Sequence, residues 1–436
     1  AVVAIEFGIR RSGWAFSLRG KAEGGIFVRV PEGNHQGEKT ETAVLLSSET
    51  CDVLSFGSSA RERYIENRNS GRLFVDFMND FPSSLAKAEC GQMVSLRALM
   101  AAVLGHFKMT ALKYLSSTSE VPLVARDVAW VIAVPAIFDT VARRFVRDAA
   151  QQGGIIDTID SPQLKLFSQL NAAYLAAYDQ KSQDFERDVG TKTMILDCGA
   201  STVDIATHEV VSLNPVSLKE LVPPMTGAWG SIRVDNAFSE WFKDFIGEDT
   251  YSRVRLGETF FDLMRRWEEC KTKFDGKLKD PTANSPLQHD TASDDGIKNR
   301  ELDSGRARRR FPQNMYPTKL TFAAIIAWFQ QDLRTAHNKS QISSMHVKGK
   351  GFIVILPSLL VKSFFTPTLG MIRCCLGDMK SSFQRAGVSL DYVFLVGGFS
   401  SSPLVQAAVR QELDDGGCIV KATFRPDVAV VKGAVI

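Results

Sequence analysis

Two stretches of the chain carry an apolar run, a short turn rich in small residues and a second apolar run, in the manner of paired strands. VVAIEF runs through the turn GIRRSG to WAFSL, and TMILDC runs through GAS to TVDIATHEV; each pair predicts a β-hairpin. Two continuous apolar runs, AWVIAVP (129–135) and DYVFLV (391–396), have the length and bounding residues of buried strands. Apolar positions at helical spacing predict helices over 91–116, 140–152, 169–180, 231–246, 257–274, 322–339 and 404–413, and an interrupted one over 358–386. Between 275 and 312 the pattern dissolves into charged and small residues, which predicts an exposed, flexible insertion carrying a basic cluster at Arg306, Arg308, Arg309 and Arg310. One repetition stands out. IEFG (5–8) and LDCG (196–199) share the order strand, carboxylate, one residue, glycine, and an apolar strand follows each within a few positions. Two such hairpins, each leading later to strand–helix units, predict a duplicated α/β domain facing itself across a cleft.

Composition bounds this picture. At about 150 residues per domain, 436 residues make roughly three units or one large two-lobed protein. With 44% hydrophobic and 23% charged residues the chain is an ordinary globular one; wholesale disorder, collagen and coiled coil are excluded. The most apolar stretch, FIVILPSLLVKSFF (352–365), is broken by Pro357 and Lys362, so no membrane span is expected. A net charge of +3 is too balanced to point to nucleic acid or an anionic membrane as a partner. The seven cysteines are odd in number and form no C-x-x-C, and the six histidines form no H-E-x-x-H. Neither a disulfide framework nor zinc is expected, and a reducing, cytoplasmic setting fits best. Cys198 and Cys374 read as buried small hydrophobes, His208 as an exposed residue of an alternating strand, and the tryptophans at 130, 229, 241, 267 and 328 as packing. Ala1 and the apolar run after it are neither a signal peptide nor a natural start, so residues are expected to precede them.

The chemistry lies in the hairpin tips. Backbone N–H groups at a tight turn point outward, and a glycine lets a phosphate approach them closely. A carboxylate at the strand end holds Mg²⁺ through water or orients an attacking water. Glu6 with Gly8, and Asp197 with Gly199, Ser201, Thr202 and Asp204, supply these parts twice. A third part, VGGFSSSP, places two glycines after a buried strand, which suits a flat base or ribose packed on the turn.

These blocks, together with WVIAVPAIFDTVARRFVRDAAQQGGI, LKELVPPMTGAWGSIRVDNAF and RPDVAVVKGAV, resemble the nucleotide-binding domain of the 70-kDa heat-shock proteins. In particular they resemble the divergent heat shock 70 kDa protein 12 branch, within the actin/sugar-kinase superfamily. The resemblance implies an α/β class: a duplicated actin-like ATPase (ribonuclease H-like) fold, two lobes around a central nucleotide cleft, lobe I over 1–180 and lobe II over 181–436. It implies ATP or ADP with Mg²⁺ as cofactors, a chaperone-type function with nucleotide-dependent lobe closure, and an unidentified protein partner or client. By position, Glu6, Gly8, Ile9 and Arg10 match the first phosphate loop, and Asp197, Gly199, Ala200, Ser201, Thr202 and Asp204 the second. Gly227, Gly230 and Ser231 match the turn closing on the phosphates, and Gly397, Gly398 and Phe399 the adenosine motif. Glu6 and Asp197 would hold Mg²⁺ through water; these two, Asp204 and Gln169 would form the catalytic set.

Departures from the family pattern matter equally. The usual D-L-G-T-T reads Glu6-Phe7-Gly8-Ile9-Arg10, losing both hydroxyls, and Ala200 and Ser201 replace two glycines of the second loop. Gln169 stands where the family has a glutamate, and an amide cannot accept a proton from water. LFVDFMNDFP (73–82) contains no lysine to reach a terminal phosphate. Each lost base or charge costs roughly 10²- to 10⁴-fold in rate, so weak or absent hydrolysis is expected. A catalytically dead pseudo-ATPase scaffold working through protein–protein contacts is the alternative. A small-molecule kinase of the same superfamily is a second one, although no acceptor-site signature is present.

Overall fold

The computed structural model describes residues 1–18, 26–29, 39–81, 83–118, 123–179, 188–213, 216–255, 257–276, 317–323, 344–348, 351–413, 417–423 and 425–436. The first hairpin is β1 (Val2–Phe7) and β2 (Arg11–Ser17), with β3 (Phe27–Arg29) beside it. Next, β4 (Thr40–Glu41) returns to β2, and β5 (Ala43–Leu46), β6 (Val53–Phe56) and β7 (Arg72–Val75) form a small sheet that carries helix α1 (Ser58–Glu66). A ribbon, β8 (Leu85–Lys87) and β9 (Met93–Ser95), leads into α2 (Leu96–Thr118). Then follow β10 (Ala129–Val134), α3 (Thr140–Gln152), β11 (Leu164–Ser168) and α4 (Gln169–Asp179).

The chain then begins again. Strands β12 (Lys192–Cys198), β13 (Val203–Leu213) and β14 (Val216–Gly227) precede helices α5 (Ile232–Ile246), α6 (Glu248–Val254) and α7 (Glu258–Lys273). A three-stranded sheet of β15 (Pro317–Ala323), β16 (Ser344–Lys348) and β17 (Gly351–Pro357) runs into α8 (Ser358–Ala386). Strand β18 (Tyr392–Val396), α9 (Pro403–Leu413), β19 (Ile419–Ala422) and α10 (Ala429–Gly433) complete it.

The two large sheets have the orders β3-β2-β1-β10-β11 and β14-β13-β12-β18-β19, which are the same order read from each half. In both, the first strand is antiparallel to its hairpin mate and parallel to the later strand. The registers correspond too: Glu6 sits opposite Gly13 and Ala133, and Asp197 opposite Asp204 and Val396. The repeat seen in the sequence is thus a structural duplication of a mixed α/β unit.

These strands read as nearly unbroken apolar runs because both their faces are covered. Along β1, Val3, Ile5 and Phe7 face a core shared with α2 and α3, whereas Ala4 points the other way. Along β12, Met194, Leu196 and Cys198 face α5 and α8, and Ile195 turns toward Ala4's side. The inner faces of the two sheets meet in one cluster, with α4 and α10 packed within it. That interface is built of small residues: Ala172, Ala173, Ala176 and Ala177 on α4 meet Ala429, Val430 and Gly433 on α10.

Several expectations are corrected. A strand, not a helix, occupies 317–323, since alternating TKLTFA pairs along β17; the remainder of the expected 322–339 helix lies outside the described residues. So does the 277–312 part of the expected insertion, basic cluster included. Helix α8 runs on through Pro367 without a break. Pro367 and Ser363, whose carbonyl loses its donor there, both face outward, so the carbonyl is not left buried and unpaired. Residues 93–95 form a strand ahead of α2. His208 is buried, edge-on to Tyr174 on α4. Cys374 is exposed and its neighbour Cys375 takes the buried place, a single-residue rotation around α8. By length and composition α8 passes for a membrane span, but a stripe of it, including Val361, Phe365, Ile372, Leu376 and Met379, is buried in the core beside β12 and α5.

Candidate functional site

Both hairpin tips open onto one cavity of about 1510 Å³. From the first half it is lined by Glu6, Gly8, Ile9 and Arg10, and by Gln169 at the start of α4. The second half contributes Asp197, Gly199, Ala200, Ser201, Thr202 and Asp204, then Ser231, Gly397, Gly398 and Phe399. Two expected members are elsewhere. Gly227 lies under the Trp229 ring, and Gly230 is pressed on the Ala200 carbonyl so closely that a Cβ has no room. The N–H groups of Gly230, Ser231 and Ile232 donate to the carbonyls of Ser201, Gly199 and Ala200 at 3.1, 3.2 and 2.9 Å. Hence the donors at the start of α5 are spent on the second turn and do not face the cavity.

Other glycines shape the cavity directly. At Gly8 an added Cβ would stand 2.5 Å from the Arg11 carbonyl oxygen, so the first turn needs glycine. Gly397 has φ of 81° and lies against the Asp197 carboxylate and the Cys198 carbonyl, while its N–H donates 2.8 Å to Pro426. Positive φ and absent space both exclude a side chain there. At Gly398 a Cβ would meet open space.

The cavity floor is acidic and buried. Glu6 is ion-paired with Lys39, and its Oε2 has no hydrogen-bond partner among the described residues. Burial pushes the Glu6 carboxyl up and the Lys39 charge opposes it. Asp197 is pushed up to about 7, first by burial and then by the charges of Asp204 and Glu6. Asp204 accepts hydrogen bonds from Thr226 Oγ1 (2.6 Å) and Thr202 Oγ1 (2.7 Å), yet burial still raises it. Arg10 makes an ion contact of 3.4 Å with Asp76, whose carboxyl burial raises to about 6 against the pull of Arg10.

Sequence reasoning missed four groups here: Lys39, Lys271, Asn79 and Arg61. Lys39 reaches the cavity because β4 lays its chain across β2, pairing Thr40 with Ser12 and Glu41 with Arg11; no local motif announces it. Lys271 is 2% exposed and donates 2.8 Å to Asp235, which also accepts from Trp267 Nε1 at 2.9 Å. Its signal was present: Leu263, Trp267 and Lys271 fall at i, i+4 and i+8, a lysine on an apolar stripe. Asn79 accepts from Ser201 Oγ at 3.2 Å, and Arg61 lies 5.2 Å over the Phe261 ring, so both halves touch across the mouth.

This geometry suits a nucleotide: an extended cavity, two tight turns and open backbone at Gly398. A divalent ion does not fit as well. Among the described residues no group of three acidic, histidine or cysteine side chains is placed to hold one, and the Glu6 carboxylate is already engaged by Lys39.

A mixed α/β chain that folds the same unit twice, with a carboxylate–glycine turn from each copy at one cavity, is consistent with the actin-like ATPases. Over its whole length the chain is similar to heat shock 70 kDa protein 12A of Homo sapiens, at 25% identity and 69% of that protein, and of Mus musculus, at 26% and 69%. It is likewise similar to heat shock 70 kDa protein 12B of Homo sapiens, at 24% identity and 68% coverage. These relatives bear out the resemblance to the heat shock 70 kDa protein 12 branch. No protein-family profile matches the chain.

Proposed function

We propose that this chain is an Hsp70-like nucleotide-binding protein whose two lobes, 1–180 and 181–436, close around ATP or ADP, with hydrolysis slow or absent. One observation carries the reading. Glu6 and Asp197, each at the end of the equivalent strand of a duplicated sheet, line the same cavity within electrostatic reach of one another. The turns after them supply backbone for phosphate, and Gly397 to Phe399 form a wall suited to the base and ribose. The α4–α10 interface of alanines and glycine is a small-residue seam along which packed elements slide during closure.

Isothermal titration with ATP and ADP checks this reading. A saturable heat with Kd below about 1 mM is the expected result; flat titrations at millimolar nucleotide overturn it.

Gln169 favours the slow or inactive form of the reading. Its side chain lines the cavity, where an amide orients water but takes no proton. Arg10, in the first turn, fills space that a small hydroxyl residue would leave to phosphate. The double variant Arg10→Thr, Gln169→Glu is therefore expected to raise single-turnover ATP hydrolysis by about 10-fold or more. An unchanged rate in a variant that still binds ATP would favour a scaffold acting through protein contacts.

A further inference from the structure

The charge that meets the phosphates rests on the nucleotide reading above but has its own structural basis. Lys39 is not a side chain free to wander. Beyond the strand that follows it, the Thr42 N–H donates 2.9 Å to the Arg10 carbonyl, and Thr42 Oγ1 donates 2.7 Å to the Gly8 carbonyl. Ser12 and Thr42 hydroxyls are also bonded at 2.7 Å. The segment is thus stitched to the first turn, and it delivers the Lys39 ammonium to Glu6 with side-chain exposures of 7% and 9%.

Around that pair the Asp204 carboxylate is engaged on both oxygens. One Asp204 oxygen takes the Thr202 hydroxyl and the other takes Thr226. Asp197 has no hydrogen-bond donor among the described residues, and it lies within reach of the Lys39 charge. A dication between Glu6 and Asp197 must either pull Lys39 out of a buried pair, leaving an uncompensated charge, or stand beside a fixed ammonium. Both are unfavourable. An ammonium has three donors, so Lys39 can keep Glu6 and still donate to a phosphate oxygen.

We propose that Lys39 supplies the positive charge that a divalent ion would otherwise bring, so that this cleft takes nucleotide phosphate without Mg²⁺.

The test is calorimetric titration of ADP into the whole chain, once with excess EDTA and once with Mg²⁺. Wild type should give Kd values within about three-fold of each other, and Lys39→Gln should weaken binding in EDTA by about 10-fold or more, with Mg²⁺ restoring it. Lys39→Arg should retain EDTA binding, and thermal melts of each variant establish that it is folded. Wild-type binding seen only with Mg²⁺ overturns this proposal and leaves the nucleotide reading standing. Absence of binding in both buffers overturns the nucleotide reading, and the proposal falls with it. The wild-type comparison decides the matter even if Lys39→Gln does not fold.

Discussion

Gly433→Ala is expected to destabilise the protein by about 3 kcal/mol or more, a large fraction of the stability of an ordinary domain. The reason is the crossing of α4 and α10. A Cβ on Gly433 would fall on the Ala172 carbonyl oxygen, well inside van der Waals contact, and close to the Ala176 nitrogen as well. Both obstacles are backbone, so no side chain can rotate aside. The helices must part, and with them the cluster where Ala4, Ala133, Ile195 and Val396 from the two sheets meet. Denaturant unfolding measures the loss. Gly377→Ala on α8 is the control, because nothing lies within 4 Å of the added carbon there; relative to glycine it should be neutral or gain up to about 1 kcal/mol. Equal stabilities for the two variants would mean that the helix crossing is not as tight as described.

The second large effect is electrostatic. Asp197 has a folded-state value of about 7 against 3.8 for the free side chain, raised by burial and by the neighbouring carboxylates. The folded chain therefore holds this proton more tightly than the unfolded chain. The stability it brings is complete below about pH 4, declines as pH rises toward 7, and is gone above that. Asp197→Asn cannot ionise, so its stability relative to wild type should improve by on the order of 2 kcal/mol between pH 5 and pH 8. Burial raises Glu6 and Asp204 in the same sense, so wild type itself should melt at a lower temperature at pH 8 than at pH 5. Parallel melting profiles for wild type and Asp197→Asn across that range would show that the carboxylate is better solvated than the structure places it.

Much of the fold was legible because it depends on periods of two and 3.6 along the chain. The hairpins at 2–17 and 192–213, the helix at 140–152 and the strands at 129–134 and 392–396 all appear where alternation and apolar runs place them. The acidic–glycine tips were legible for a different reason: a turn that tight admits few residues, so its requirement is written locally. Legibility failed where a residue's role depends on chain far away. The strand pattern around His208 points it to solvent, yet Tyr174 of α4 covers it. Gly227 and Gly230 match a phosphate-contacting turn, yet Gly227 lies under the Trp229 ring and the Gly230 N–H is spent on the Ser201 carbonyl.

The sequence by itself determined the duplicated unit and the two carboxylates at equivalent strand ends, since each is fixed by local pattern. Only the tertiary structure decided which charges share the cavity. Lys39 meets Glu6 through strand pairing, and Lys271 meets Asp235 through the packing of α7 on α5. The energy of such a pair depends on distance and burial, and neither quantity exists until the chain has folded.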